Sequence, residues 1–326
     1  MNTRQLGNTD LHLTEIGFGA WAVGGSWLYG WGAQDDQESI DAIHRALELG
    51  INWIDTAAVY GLGHSEEVVA KAIEGRRDEV IVATKCSQVW DDNGNVTTVL
   101  ERESVRREAE NSLRRLNTDV IDLYQIHWPD DDPRIEEGWA EIARLIEEGK
   151  VRYGGVSNFQ VGHLTRAHAI YPISSLQPPY SMLRRGIEDR QLPWCAEHNV
   201  GIVAYSPMQS GLLTGKFDIN RIAADDWRHK NPEFHEPNLS INLDFAEKLK
   251  PIAAKYGKTV AQLSVAWTLR NPEVTSAIVG ARRPSQVEEI VGSAGWKIDE
   301  EDLKVIDNLL AEREQTIQDK QGFLPK

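Results

Sequence analysis

The chain has 326 residues, 41% of them hydrophobic and 26% charged, and a formal net charge of -15, which is a globular composition long enough for two average domains or one large barrel. The acidic balance excludes a backbone-driven grip on nucleic acid, which needs a basic face to displace counterions from phosphate. No apolar run approaches the roughly 18 residues of a membrane span, and Cys86 and Cys195 are too isolated to imply a disulfide framework or a metal site.

The opening Met1-Asn2-Thr3-Arg4-Gln5 is followed by no apolar signal region, so a cytoplasmic protein is expected. No stretch is rich enough in Pro, Gly or Ser to serve as a linker, which favours one domain over residues 1–326. In chain order, a hairpin over Leu6 to Leu13 turns at Gly7-Asn8. Strands are then predicted at Ile16-Gly19, Ile51-Asp55, Val80-Thr84, Ile121-Gln125, Arg152-Val156, Ser174-Gln177, Gly201-Tyr205 and Ser276-Val279. Between them, apolar residues recur at three- and four-residue spacing in Gln37-Leu49, Ser65-Glu74, Arg102-Leu116, Ile135-Glu148, Val161-Ala169 and Arg190-Asn199. This β-α alternation is the signature of an α/β fold with a parallel sheet, and eight repeats make a (β/α)8, or TIM, barrel.

Two stretches depart from the repeat. Gly211 to Ser240 is polar, rich in turn residues and weakly periodic, as expected of a loop that covers a ligand. Ser285-Val291 and Glu301-Leu310 give one more C-terminal helix than eight units need.

Active sites of such barrels collect at the C-terminal ends of the strands. Asp55 ends the second predicted strand, Lys85 follows the third and His127 the fourth, while Ser157, Asn158, Gln177, Tyr205 and Ser206 lie at the same end. Tyr60 follows Asp55 in a loop ending Gly61-Leu62-Gly63. A tyrosine hydroxyl carries its proton at neutral pH and can donate it. A neighbouring lysine would stabilise the tyrosinate left behind, an aspartate would hold the lysine, and His127 would orient the substrate oxygen. Each has an ordinary alternative: a solvated surface lysine, a chance Asp-Tyr spacing, a structural histidine. Their shared position at one end of consecutive strands favours a site.

Gly17-Phe18-Gly19-Ala20-Trp21-Ala22 fits the G-x-G-x-x-G/A dinucleotide fingerprint, but the chain continues Val23-Gly24-Gly25-Ser26-Trp27 rather than into a helix, so a Rossmann site is rejected. Of the eleven tryptophans, Trp21, Trp27, Trp31, Trp90 and Trp128 fall in or beside loops at the catalytic end and are expected to line an apolar substrate pocket.

The motifs resemble those of the aldo-keto reductase superfamily over nearly the whole chain. Gly50-Ile51-Asn52-Trp53-Ile54-Asp55-Thr56-Ala57 with Tyr60-Gly61 and Ser65-Glu66 is similar to its aspartate-tyrosine motif. Ala83-Thr84-Lys85 is similar to its lysine strand, Asp122-Leu123-Tyr124-Gln125-Ile126-His127-Trp128-Pro129-Asp130 to its histidine strand, and Gly155-Val156-Ser157-Asn158-Phe159 to its amide-binding turn. Gln177-Pro178-Pro179-Tyr180 and Gly280-Ala281-Arg282-Arg283-Pro284 resemble the bacterial general stress protein subgroup.

The resemblance implies NADPH-dependent reduction of aldehydes or ketones, with Asp55, Tyr60, Lys85 and His127 as a catalytic tetrad and Tyr60 as acid. It places Ser157, Asn158 and Gln177 on the nicotinamide carboxamide and Tyr205 on its ring. Ser206, Pro207, Met208, Gln209 and Ser210 would follow the pyrophosphate, and Arg282, Gln286 and Glu289 would hold the adenosine end, with Arg282 on the 2′-phosphate. Ala20, Trp21, Gly280, Ala281 and Arg283 complete the implied cofactor contacts. Ile290 stands where many members have asparagine. The implied partner is a small carbonyl compound, with no nucleic acid, membrane or metal. Two alternatives remain: an NADPH-binding redox or interaction module with little turnover, and a barrel hydrolase using Asp55 and Glu66 as paired carboxylates.

Overall fold

A computed structural model describes residues 1–27, 29–129, 134–224 and 226–321. Its strands are β1 (Thr3–Gln5), β2 (His12–Thr14), β3 (Ile16–Gly19), β4 (Trp53–Asp55), β5 (Ile81–Cys86), β6 (Gln88–Trp90), β7 (Val96–Thr98), β8 (Ile121–Ile126), β9 (Val151–Ser157), β10 (Ser175–Gln177), β11 (Gly201–Tyr205) and β12 (Val274–Gly280). Strands β3, β4, β5, β8, β9, β10, β11 and β12 close a parallel barrel in that order. The expected eight-stranded architecture is therefore present, and each expected strand overlaps an observed one.

The helices are α1 (Asp36–Glu48), α2 (His64–Ala72), α3 (Arg102–Arg115), α4 (Arg134–Glu147), α5 (Val161–His168), α6 (Gln191–Glu197), α7 (Asn238–Lys255), α8 (Val260–Leu269), α9 (Pro284–Val291) and α10 (Glu300–Gln321). They pack their apolar stripes on the outside of the barrel. Side chains alternate along a strand, so Ile54, Val82, Tyr124 and Val156 face outward into this layer. The alternate positions Trp53, Ala83, Leu123, Val203 and Ile278 fill the interior. Gly17 makes room for Trp53, since a Cβ there would stand 2.1 Å from the indole ring.

The hairpin β1–β2 covers the N-terminal end of the barrel, adding Leu6, Leu11 and Leu13 to the interior cluster. Arg4 fixes it by donating to the carbonyls of Leu269 and Val274 and to Glu15.

The structure extends the sequence reading in three places. Residues 88–98 form a second hairpin, β6–β7, turned where Asp91 Oδ1 accepts the amides of Asn93 and Asn95 at 2.9 Å each. Between Gly211 and Pro237 the described residues form short 3-10 turns, several opened by Asx caps at Asp218, Asp226 and Asn231, ordered by side-chain-to-backbone bonds rather than by helical periodicity, and helix α7 begins at Asn238. Helices α7 and α8 escaped the periodicity analysis because α8 is buried nearly all round and α7 carries Pro251 in its interior. The C-terminal helix α10 is longer than Glu301-Leu310. Among the described residues no helix is long and apolar enough to cross a membrane.

Candidate active site

Above the apolar filling, the next inward position of β4, β5 and β8 is polar. Asp55 follows Trp53 by two, Lys85 follows Ala83 and Gln125 follows Leu123, and the register sets Lys85 beside Gln125 and Gln177 beside Ser157. Strand alternation thus turns one apolar layer into a polar layer at the C-terminal rim. Lys85 Nζ donates to Asp55 Oδ2 at 2.7 Å, to the Thr56 carbonyl at 2.9 Å and to Tyr60 Oη at 3.2 Å. Lys85 is 1% exposed and Asp55 3%. An ion pair this deep requires its remaining polar atoms to be satisfied. Gln177 Nε2 does so, donating to Asp55 Oδ1 at 2.8 Å, with Gln125 Nε2 at 3.5 Å.

Tyr60 projects from the loop that β4 feeds. Its ring lies 5.1 Å from Trp21, 6.1 Å from Trp27 and 5.6 Å from His127, the last edge-on. Burial, reinforced by the Asp55 charge, holds the Tyr60 phenol well above its ordinary range, so it carries its proton at neutral pH. Burial pulls Lys85 down against the upward pull of Asp55. His127 is pushed well below the usual histidine range by burial and by the Lys85 charge and is a neutral ring at pH 7. The arrangement presents a protonated hydroxyl backed by a cation, with a neutral imidazole alongside.

Asn158 Nδ2 donates to the His127 carbonyl and to Ser157 Oγ, each at 3.0 Å, and Tyr205 Oη donates to Asn158 Oδ1 at 2.9 Å. Ser157 Oγ donates to the Gln177 carbonyl at 2.8 Å. The sequence-predicted Ser157, Asn158, Gln177 and Tyr205 are thereby one network joined to Asp55. Past Tyr205 the backbone is held in the left-handed region at Ser206 (φ 55), Gln209 (φ 46), Ser210 (φ 51) and Gly211 (φ 107). Side-chain-bearing residues in that region cost about 1–3 kcal/mol each, and such strain gathers at ligand clamps. Successive amides turned this way form anion-binding concavities, so the 206–211 stretch fits a pyrophosphate.

Beyond this stretch, Lys216 Nζ reaches Glu289 Oε1 at 3.4 Å, and Gln209 Nε2 donates to Glu233 Oε2 at 2.6 Å. Arg228 donates to the Ser210 carbonyl at 3.1 Å and lies 5.1 Å over the Trp31 ring. The long loop is therefore strapped across the rim to the segment after β3.

Arg282, expected on a 2′-phosphate, makes contacts within the protein here. Its guanidinium donates to Gln34 Oε1 at 2.6 Å, to the Trp31 carbonyl at 3.3 Å and to the Ala33 carbonyl, so it anchors the 31–34 segment. Its backbone amide donates to Gln286 Oε1 at 2.8 Å. Arg283 is exposed at the N-terminus of α9. Gly280 is exposed beside buried Ala281, and Ala20 sits under the rim with its carbonyl accepting from Ser65 Oγ.

Of the five tryptophans, Trp21, Trp27 and Trp90 group around Tyr60. Trp31 belongs to the strap, and Trp128 stands 45% exposed, because a rim position alone does not say which way a side chain turns. Ser206, Pro207, Met208 and Ser210 lie on the strained segment. Asp130 lies outside the described residues. Glu66 is not a partner for Asp55: Thr84 Oγ1 and Arg115 Nε donate to its two oxygens at 2.6 Å each, on the outer face that Thr84 shares with α2, and the paired-carboxylate hydrolase loses its second acid. Gln125 went unnoticed in the sequence; its inward register two residues before His127 was the available signal. Among the described residues no group of three or more His, Cys, Asp or Glu could hold a metal ion.

The family model for the aldo/keto reductase family matches residues 15–311. The chain belongs to the aldo/keto reductase family. It is similar to the aldo-keto reductase YhdN of Bacillus subtilis, with 39% identity over 99% of this chain and 96% of that protein. It is also similar to the NADH-specific methylglyoxal reductase of Escherichia coli, with 34% identity over 92% and 96%. Among solved structures, the glycerol dehydrogenase AKR11B4 from Gluconobacter oxydans superposes with a TM-score of 0.88 at 38% identity, covering 96% of each chain. As an aldo/keto reductase the chain is an oxidoreductase of carbonyl and alcohol groups that works with a nicotinamide cofactor.

Proposed function

We propose that this aldo/keto reductase reduces small aldehydes and ketones with NADPH, that Tyr60 gives the proton to the carbonyl oxygen, and that residues 1–326 act as one domain. The observation that carries the reading is the buried contact of Lys85 Nζ with Tyr60 Oη at 3.2 Å, backed by Asp55 at 2.7 Å. When bound, the reduced nicotinamide supplies the hydride. Tyr60 supplies the proton from its hydroxyl. Lys85 stabilises the phenolate that remains, and Asp55, steadied by Gln177 and Gln125, keeps Lys85 in place. His127, uncharged, donates to the carbonyl oxygen without competing as an acid. Trp21 and Trp27 exclude water from Tyr60, which strengthens each of these interactions.

Cofactor choice rests on the two guanidiniums beside α9. Because Arg282 donates to the 31–34 segment, we assign the 2′-phosphate to the exposed Arg283, beside a helix N-terminus that favours an anion. An NADH-specific relative makes cofactor choice the point to measure. Consumption of NADPH and NADH should be followed with a panel of small aldehydes and ketones, together with both dissociation constants. Arg283→Ala should weaken NADPH about tenfold at low ionic strength, an effect that shrinks with salt and spares NADH. Arg282→Ala should weaken both cofactors alike, by loosening the 31–34 segment. A wild-type protein that consumes neither cofactor contradicts the function; tighter binding of NADH than NADPH contradicts the cofactor assignment.

A further inference from the structure

Trp21 and Trp27 both stand with their rings against Tyr60, and their indole N–H groups have different fates. Trp21 Nε1 donates to the Tyr29 carbonyl at 3.0 Å. Trp27 Nε1 is buried and has no acceptor among the described residues. Its ring nonetheless stands 5.5 Å from Trp21 and 6.1 Å from Tyr60, within the cluster that covers the phenol. A buried donor without an acceptor is costly, and one beside a reactive group calls for a partner that the protein itself does not supply.

The local backbone holds this indole in place. The Gly30 amide donates to the Trp27 carbonyl at 2.9 Å. A Cβ on Gly30 would lie 2.8 Å from Trp27 Cδ1. The same loop lies directly against the Tyr60 loop: a Cβ on Gly24 would be 2.6 Å from the Gly61 amide nitrogen, and one on Gly61 would be 2.2 Å from the Gly24 carbonyl. Gly24 and Gly61 are what let the two backbones touch, which brings the loop carrying Trp27 to the proton donor.

We propose that Trp27 is a specificity-determining residue whose indole N–H donates to an oxygen on the carbon next to the reacting carbonyl, so that the substrate class is α-hydroxycarbonyl or 1,2-dicarbonyl compounds. This rests on the carbonyl-reductase reading above. An indole donates and cannot accept, so the partner group must offer a lone pair. A plain alkyl neighbour leaves the donor unpaired, and sites built to bond a substrate oxygen discriminate strongly against analogues lacking it.

The test compares glycolaldehyde with propanal, which have the same number of heavy atoms and differ by a hydroxyl in place of a methyl. Aldehyde hydration cancels when each variant is compared with wild type. Trp27→Phe keeps an aromatic wall and removes the donor; the glycolaldehyde-to-propanal ratio of kcat/KM should fall about ten- to a hundredfold. Trp27→His, which restores an N–H, should recover part of that ratio. As a readout independent of turnover, the indole N–H resonance missing from the Trp27→Phe spectrum should move downfield when glycolaldehyde is added to Tyr60→Phe protein loaded with oxidised cofactor, and not with propanal. An unchanged ratio in Trp27→Phe, equal losses on both aldehydes, or an unmoved indole resonance overturns the assignment. A wild-type enzyme that reduces neither aldehyde overturns it together with the carbonyl-reductase reading, whereas one that reduces both with a ratio insensitive to Trp27 leaves that reading intact.

Discussion

Tyr60→Phe should lower turnover with a small aldehyde by about 10²–10⁴-fold, the usual contribution of a general acid, while cofactor affinity stays within a few-fold. The ring is the structural part of this residue: it packs on Trp21, Trp27 and His127, and phenylalanine preserves that. The hydroxyl is the chemical part, and Lys85 Nζ keeps Asp55 and the Thr56 carbonyl when it is removed. The fold should therefore survive. The pH profile gives a second check. Because the phenol is raised well above its ordinary value, the protonated form persists across neutral pH, and the wild-type rate should fall only on the alkaline side. A variant that keeps more than a tenth of wild-type turnover, with chemistry limiting, would remove Tyr60 as the proton donor.

Lys85→Met should lose activity to a similar extent for a different reason, and it should also lose stability. Without the ammonium, the phenolate has no cation within hydrogen-bond reach among the described residues. Asp55, 3% exposed, is left as a buried carboxylate with only the amides of Gln177 and Gln125. Breaking a buried pair from one side typically costs about 3–5 kcal/mol, enough to lower the melting temperature measurably. The double variant Lys85→Met with Asp55→Asn removes the stranded charge. Its melting temperature should recover while its turnover should not. Recovery of both would make the lysine a purely structural partner of the aspartate.

Much of this site was legible in the sequence because strand ends and inward positions follow from periodicity. A period of two places Asp55, Lys85 and His127 at one rim, and the structure joins the first two with Tyr60 through direct hydrogen bonds. Direction within loops was less legible. Arg282 and Arg283 are adjacent, yet one is bound to Trp31, Ala33 and Gln34 from the far side of the rim, a contact between residues about 250 apart in sequence that no local pattern encodes. The tryptophans divide for the same reason, three around Tyr60, one under Arg228, one exposed. Helix α8 was missed because a helix buried all round carries no amphipathic stripe, and the β6–β7 hairpin because its strands are only three residues each, although Gly94 in its turn stands at φ 78.

The most direct measurement of the central claim uses a cofactor carrying deuterium at nicotinamide C4 on the transferred face and a small aldehyde in ordinary water. The expected product carries one deuterium on the new alcohol carbon and a proton from the solvent-exchangeable pool on oxygen, with the same isotopic outcome but a rate lower by about 10²–10⁴ in Tyr60→Phe. Product without carbon-bound deuterium for either face of the cofactor, or no product with any aldehyde, would contradict hydride transfer to a carbonyl at this site.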